Sequence, residues 1–305
     1  MSTSDQTAVL LMAYGTPRTR EEIEPYYTDI RRGRPPTPEQ LADLIRRYEA
    51  IGGLSPLAAL TEAQRTALAA ALEGRAPGRF DVVLGLKHAH PMIEETGAAL
   101  VERGVKHVVG LVLAPHYSSY SIGQYQDRLK ASVDGSGCDV RGIESWASDP
   151  AYVAFLADEV RKGLAKLPEG SRVLFTAHSL PERIITAGDP YPSELRKTAV
   201  WVAAAGNLAP GSWDIAYQSA GRTPEPWLGP DILSAIDDLA AQGVPGVLVC
   251  PCGFVADHLE VLYDLDLEAA QHAAHKGIAF ARTASMNDNP AVIASLAERV
   301  IGATA

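Results

Sequence analysis

Leu11-Met12-Ala13-Tyr14-Gly15-Thr16-Pro17 closes a run of apolar residues at 8–13, and Phe175-Thr176-Ala177-His178-Ser179-Leu180-Pro181 closes a second run at 173–177. In both, a short β-forming stretch gives way to a side chain capable of chemistry and then to a proline, which cannot continue a central strand. A second match pairs Leu113-Ala114-Pro115-His116 with Val249-Cys250-Pro251-Cys252. Around these four stretches, Val-, Ile- and Leu-rich runs lie at 8–13, 81–86, 108–114, 140–146, 173–177, 213–217, 246–250 and 278–283, separated by amphipathic segments such as 38–48 and 61–72. That alternation marks βαβ units and parallel sheets. Four runs fall in each half, so the sequence predicts an α/β fold: two similar, doubly wound, Rossmann-like domains whose four-stranded parallel sheets face a cleft. The expected limits are 1–146 for the N-terminal domain and 147–286 for the C-terminal one, with the crossing at 147–150 and a final helix, 287–305, packing back on the first domain.

Composition narrows the function. A chain of 305 residues suits two domains, and 47% hydrophobic with 21% charged residues excludes disorder and coiled coil. With 27 Lys and Arg against 37 Asp and Glu, the net charge of −10 argues against a nucleic-acid partner, whose binding requires phosphate neutralisation. Cys138, Cys250 and Cys252 are too few for a disulfide framework and fit a reducing compartment. Residues 1–6 show no export signal, and the longest weakly polar stretch, 244–256, falls short of the ~20 residues that span a bilayer. A cytoplasmic protein without membrane insertion is expected.

In open α/β sheets ligands bind beyond the carboxyl ends of the strands. The residues expected there are Tyr14, Lys87 with His88, His116, His178, Gln218 and Cys252. After the seventh run, a helix would place Glu260, Asp264 and Glu268 at i, i+4 and i+8, on one face. Such a line repels itself unless a divalent cation or protons relieve it; the alternative is a solvated acidic face near a helix N-terminus. An isolated histidine such as His178, His88 or His90 is more often a hydrogen-bonded packing residue than a catalyst. No His-Glu-x-x-His, Gly-x-Gly-x-x-Gly after a strand, P-loop or Gly-x-Ser-x-Gly occurs, so zinc hydrolase, nicotinamide, nucleotide and α/β-hydrolase readings fall away. Three thiols fall short of the four that an iron–sulfur cluster takes, although Cys252, at a strand end, could be reactive. Against the global charge, Arg31, Arg32, Arg34, Arg46 and Arg47 outnumber Glu39 and Asp43, a local +3 that suits an acidic ligand. Tyr26, Tyr27 and Tyr48 add flat surface for an aromatic one.

Taken together, Met12 to Pro17, Tyr26-Tyr27-Thr28-Asp29-Ile30-Arg31-Arg32-Gly33-Arg34, Arg47-Tyr48-Glu49-Ala50-Ile51-Gly52-Gly53-Leu54-Ser55-Pro56-Leu57 and Gly253-Phe254-Val255-Ala256-Asp257-His258-Leu259-Glu260 resemble the bacterial ferrochelatases, most closely the coproporphyrin type, over residues 10–268. The resemblance implies insertion of Fe²⁺ into coproporphyrin III, with protoporphyrin IX or another metal as the nearer alternative and a non-enzymatic haem or porphyrin binder as the farther one. It implies that His178 and Glu260 are catalytic and meet the iron, and that Tyr14 is axial to the product iron. It further implies that Arg31, Arg47, Tyr48, Ser55 and Tyr125 hold the porphyrin, and that Asp264 and Glu268 form an outer metal-binding line. Fe²⁺ is then a substrate, with no tightly bound cofactor and no [2Fe–2S] cluster. The expected partners are porphyrin and Fe²⁺, with transient contact to neighbouring haem-pathway enzymes, and the chain is expected to be a monomer.

Overall fold

The structure, a computed structural model, describes residues 6–221 and 223–304. Residues 1–5, on which most of the export-signal reading rests, lie outside the described residues. The elements run β1 (Thr7–Ala13), α1 (Ile23–Ile30), α2 (Pro38–Ala50), α3 (Leu57–Arg75), β2 (Phe80–Leu86), α4 (Ile93–Glu102), β3 (His107–Val112), α5 (Ile122–Ser132), β4 (Asp139–Ile143) and α6 (Pro150–Leu164). They continue with β5 (Arg172–His178), α7 (Arg183–Thr186), α8 (Tyr191–Ala205), β6 (Trp213–Gln218), α9 (Ile232–Ala241), β7 (Gly246–Cys250), a π-helix (Val261–Ala269), α10 (Ala270–His275), β8 (Ala279–Arg282) and α11 (Pro290–Gly302). Among the described residues, one compact unit comprises 6–114, 121–144 and 287–304; the other comprises 115–120, 145–221 and 223–286.

Each unit holds one four-stranded parallel sheet, ordered β2-β1-β3-β4 in the first and β6-β5-β7-β8 in the second. The identical order gives the sequence duplication a structural counterpart. β1 and β5 are buried along almost their whole length, which is why they read as unbroken apolar runs: helices cover both faces of a parallel sheet. In each sheet the order reverses beside the first strand, between β1 and β3 and between β5 and β7. This switch point opens a crevice at the strand ends, and Tyr14 follows β1 there while His178 terminates β5.

Three of the expected strands are shorter than their apolar runs, the one at 278–283 by a single residue at each end. The run at 108–114 leaves the sheet after Val112, and that at 140–146 after Ile143. Beyond Ile143 the chain bonds elsewhere: Trp146 N donates to the Pro115 carbonyl at 3.1 Å and Ser145 Oγ to the same oxygen at 3.0 Å. Asp149 then caps α6, accepting from Ala151 N and Tyr152 N. In the first unit α11 packs on α3, burying Val292, Leu296 and Val300. Each such side chain contributes about 1.5–3 kcal/mol when fully buried.

The acidic stretch departs from the expected α-helix. From Val261 to Ala269 it is π-helical, each hydrogen bond spanning one residue more; Ala270 N, for instance, donates to Leu265 O. Single turns of this kind recur at functional sites. No helix among the described residues is long and apolar enough to cross a membrane.

Candidate active site

In the second unit the site is built on the end of β5. The chain leaving β7 folds back so closely that Gly253 N donates to Thr176 O at 2.9 Å, and a Cβ on Gly253 would stand 2.4 Å from Ala177 Cβ. Only glycine fits there. This approach brings Phe254 to His178, with ring centroids 6.5 Å apart, and to His258, 4.9 Å apart. Glu260 then lies between two imidazoles: Oε1 is 3.6 Å from His178 Nε2, and Oε2 is 3.6 Å from His258 Nε2. The Nδ1 of His178 donates to the Ser179 carbonyl at 2.5 Å, which leaves Nε2 as the atom presented to Glu260. Tyr191 Oη donates to the His178 carbonyl at 2.9 Å and steadies the backbone.

Burial opposes charge on His178, but the Glu260 carboxylate, the Ser179 carbonyl and Asp264 outweigh it and raise its pKa to about 9. Burial also opposes charge on Glu260 and is overcome by His178 and His258, which hold its carboxyl far below the usual carboxylate range. At neutral pH the pair therefore rests as imidazolium and carboxylate, two coupled sites for a proton. Both side chains keep about a third of their surface exposed, 35% and 38%, so a ligand can reach them.

The three acidic residues differ in setting. Glu260 is partly exposed, Asp264 is buried and accepts a hydrogen bond from the Ser219 hydroxyl, and Glu268 is exposed. A uniformly solvated acidic face does not describe them. Among the described residues, no three His, Cys, Asp or Glu side chains form a ready-made metal centre.

In the first unit the residues after β1 and β2 meet. Tyr14, 42% exposed, packs against His88 with ring centroids 4.6 Å apart and edge-on to Tyr26 at 6.5 Å. His88 Nδ1 pairs with Asp29 Oδ2 at 2.6 Å, while burial lowers its pKa. Lys87 Nζ donates to Gln124 Oε1 at 2.7 Å and sits 5.0 Å above the ring of buried Tyr125. Its burial, with Arg128 and Arg32 nearby, lowers its pKa to about 8.

The local +3 segment is not one basic helix face. Arg31, Arg32 and Arg34 lie beyond the end of α1, whereas Arg46 and Arg47 are on α2 and both pair with Asp43. Arg31 stacks over Tyr27 at 5.5 Å. Tyr48 is buried with its hydroxyl 3.4 Å from Thr16 Oγ1, and Ser55 Oγ accepts from Leu57 N at 3.2 Å. Cys250 and Cys252 are fully buried, and burial pushes the Cys252 thiol well above its ordinary pKa, so its strand-end position does not make it reactive. His116 is likewise buried and neutral, its pKa lowered to about 3, with Nε2 at 2.9 Å from Thr198 Oγ1.

Two residues at the sites escaped sequence reasoning. His258 stood inside the Gly253–Glu260 motif, two residues before Glu260, and that proximity was a usable signal. Asp29 stood likewise inside the motif at 26–34, but nothing local paired it with His88, which it meets across 59 residues of chain.

A sequence model of the ferrochelatase family matches residues 6–304. The chain belongs to the ferrochelatase family. Among similar ferrochelatases, the "Ferrochelatase" of Herpetosiphon aurantiacus is 43% identical, the alignment covering 98% of this chain and 99% of that one. The "Coproporphyrin III ferrochelatase" of Halalkalibacterium halodurans is 44% identical, over 97% and 96%. That of Geobacillus kaustophilus is 45% identical, over 96% and 94%. Of solved structures, "SirB from Bacillus subtilis with Fe3+" superposes with a TM-score of 0.60 over 98% of this chain and 96% of that one. At 12% identity it shows that this ferrochelatase shares the fold of a second chelatase.

Proposed function

We propose that this ferrochelatase inserts Fe²⁺ into coproporphyrin III, releasing two protons and yielding Fe-coproporphyrin III for haem synthesis. The observation that carries it is the coupled His178–Glu260 pair at a sheet switch point of a chain from this family. The coproporphyrin preference draws support from the relatives named for that substrate and from Arg31 and Arg47, since four propionates offer more carboxylates to arginine than two.

Metallation must strip two pyrrole protons and admit iron to nitrogens whose lone pairs point into a flat ring. A puckered ring turns those lone pairs to one face, so a rigid site that binds the distorted macrocycle lowers the barrier. In the resting pair the Glu260 carboxylate can take a pyrrole proton or offer an oxygen to iron, and the neighbouring His178 can enter either role once the proton it carries at neutral pH has left. The porphyrin brings four nitrogens, so the protein needs only one or two donors of its own. Asp264 and Glu268 extend the path for iron or protons, and Tyr14 is the axial ligand to the product iron. Arg31, Arg47, Tyr48, Ser55 and Tyr125 hold the macrocycle and its propionates.

We further read the protein as a cytoplasmic monomer without a [2Fe–2S] cluster or other resident cofactor. Two of its three thiols are sealed in a sheet core, whereas a cluster takes four thiolates. Transient contact with neighbouring haem-pathway enzymes would deliver porphyrin and receive product.

The deciding experiment follows free-porphyrin fluorescence anaerobically with Fe²⁺, for coproporphyrin III and protoporphyrin IX in parallel. Multiple turnover with faster loss of coproporphyrin III is expected. Equal or faster turnover of protoporphyrin IX rejects the preference, and a loss that stops at one equivalent identifies a binder. Preferential insertion of cobalt or nickel in competition would identify another chelatase.

A further inference from the structure

The segment carrying His258, Glu260 and Asp264 is held at both of its ends by one side chain. Arg282, the last residue of the edge strand β8, places Nε 2.7 Å from Asp266 Oδ1 and Nη2 2.9 Å from Asp266 Oδ2. Its Nη1 lies 3.2 Å from Asp257 Oδ1. Ser285 Oγ donates to the same Asp257 oxygen at 2.8 Å, and the Arg282 side chain is only 14% exposed. We infer that Arg282 is a positioning residue for iron insertion, its guanidinium tying Asp257 to Asp266 and so setting where Glu260 and Asp264 stand.

The chain between the two anchors needs such a tie. It begins in irregular backbone at Asp257 and passes at Val261 into a π-helix, a conformation that rarely persists without outside support. A bidentate guanidinium–carboxylate pair fixes orientation as well as distance, which a point charge does not. Arg282 touches neither His178 nor Glu260 in any hydrogen bond or ion pair among those described, so its influence on them runs through the segment it holds. Its partners are also sufficient to keep it charged: burial opposes the charge, and Asp266 with Asp257 outweighs it.

The inference rests on the reading that iron passes His178 and Glu260, and the test separates the two. Arg282→Gln, Arg282→Lys, Asp257→Asn and Glu260→Gln are assayed beside the wild type for anaerobic iron insertion, with KM measured for each substrate. Arg282→Gln is expected to lower kcat/KM for Fe²⁺ by about 10- to 100-fold while KM for the porphyrin stays within about twofold. Arg282→Lys should recover part of that loss, and Asp257→Asn should show a smaller one in the same direction. A merely structural arginine would reduce the folded fraction, and with it kcat, while leaving both KM values where they were; that result overturns the proposal. So does an unchanged kcat/KM for Fe²⁺. If Arg282→Gln does not fold, Arg282→Lys and Asp257→Asn decide by the same criterion. Wild-type turnover that survives in Glu260→Gln removes the underlying site reading and this inference with it, whereas a loss confined to Glu260→Gln removes the inference alone.

Discussion

His178 Nε2 and Glu260 Oε1 stand 3.6 Å apart, one closing β5 and the other directly preceding the π-helix, and each holds its neighbour in the charged form. Removing either partner breaks the pair whose carboxylate meets proton or iron and whose imidazolium must pass its own proton on before it can do the same. His178→Ala and Glu260→Ala should each lower the initial rate of iron insertion by about 100-fold or more under anaerobic assay. Wild-type rates in either variant would contradict the proposed roles.

The same pair makes stability depend on pH. His178 rises from 6.5 to about 9 on folding, so its contribution is complete below pH 6.5 and is lost as pH climbs toward 9. Glu260 is depressed from 4.5, so its contribution is complete above pH 4.5 and is lost as pH falls through its lowered value. The Tm advantage of the wild type over Glu260→Gln should therefore be greatest between these ordinary values and shrink from pH 6.5 to 9. A difference independent of pH over that range refutes the coupling.

Lys87 carries the opposite sign. Its pKa falls from 10.5 to about 8 on folding, so its buried charge costs stability below pH 8, and the cost disappears as pH rises to 10.5. Lys87→Met should melt higher than the wild type at pH 7, with the gap closing by pH 10. Equal melting at both pH values would count against a destabilising charge.

Thiol reactivity should follow burial. Cys138 is partly exposed, while Cys250 and Cys252 are fully buried. Alkylation read by mass spectrometry should modify Cys138 first and reach the other two only on unfolding. Rapid modification of Cys252 in the native protein would disprove its inertness.

Gly253→Ala tests the close approach that forms the site. The added methyl would press on Ala177 one residue before His178, so the variant should lose about 1–3 kcal/mol in denaturant unfolding, as overpacking does. An unaltered midpoint would show that the loop yields.

Much of this was legible in the sequence, because its signals are local. A parallel strand buried on both faces is written as a continuous apolar run, and eight such runs mark eight strands. The prolines after Tyr14 and His178 mark where two of those strands stop, and the motif from Gly253 to Glu260 names the family. The run at 140–146 overruns its strand because its last letters belong to backbone that has already turned to the Pro115 carbonyl, and the run at 108–114 overruns its own by two residues.

The sequence by itself determined the strand-and-helix alternation, the duplicated halves and the residue types available for chemistry, all of which depend on neighbours along the chain. Only the tertiary structure decided that acidic letters four apart belong to a π-helix, that Glu260 lies between His178 and His258, and that Asp29 meets His88. The physical reason is that these meetings depend on which strands pair and how closely loops approach. Strand order and the Gly253 contact are set by burial across distant segments, and no spacing within a single segment records them.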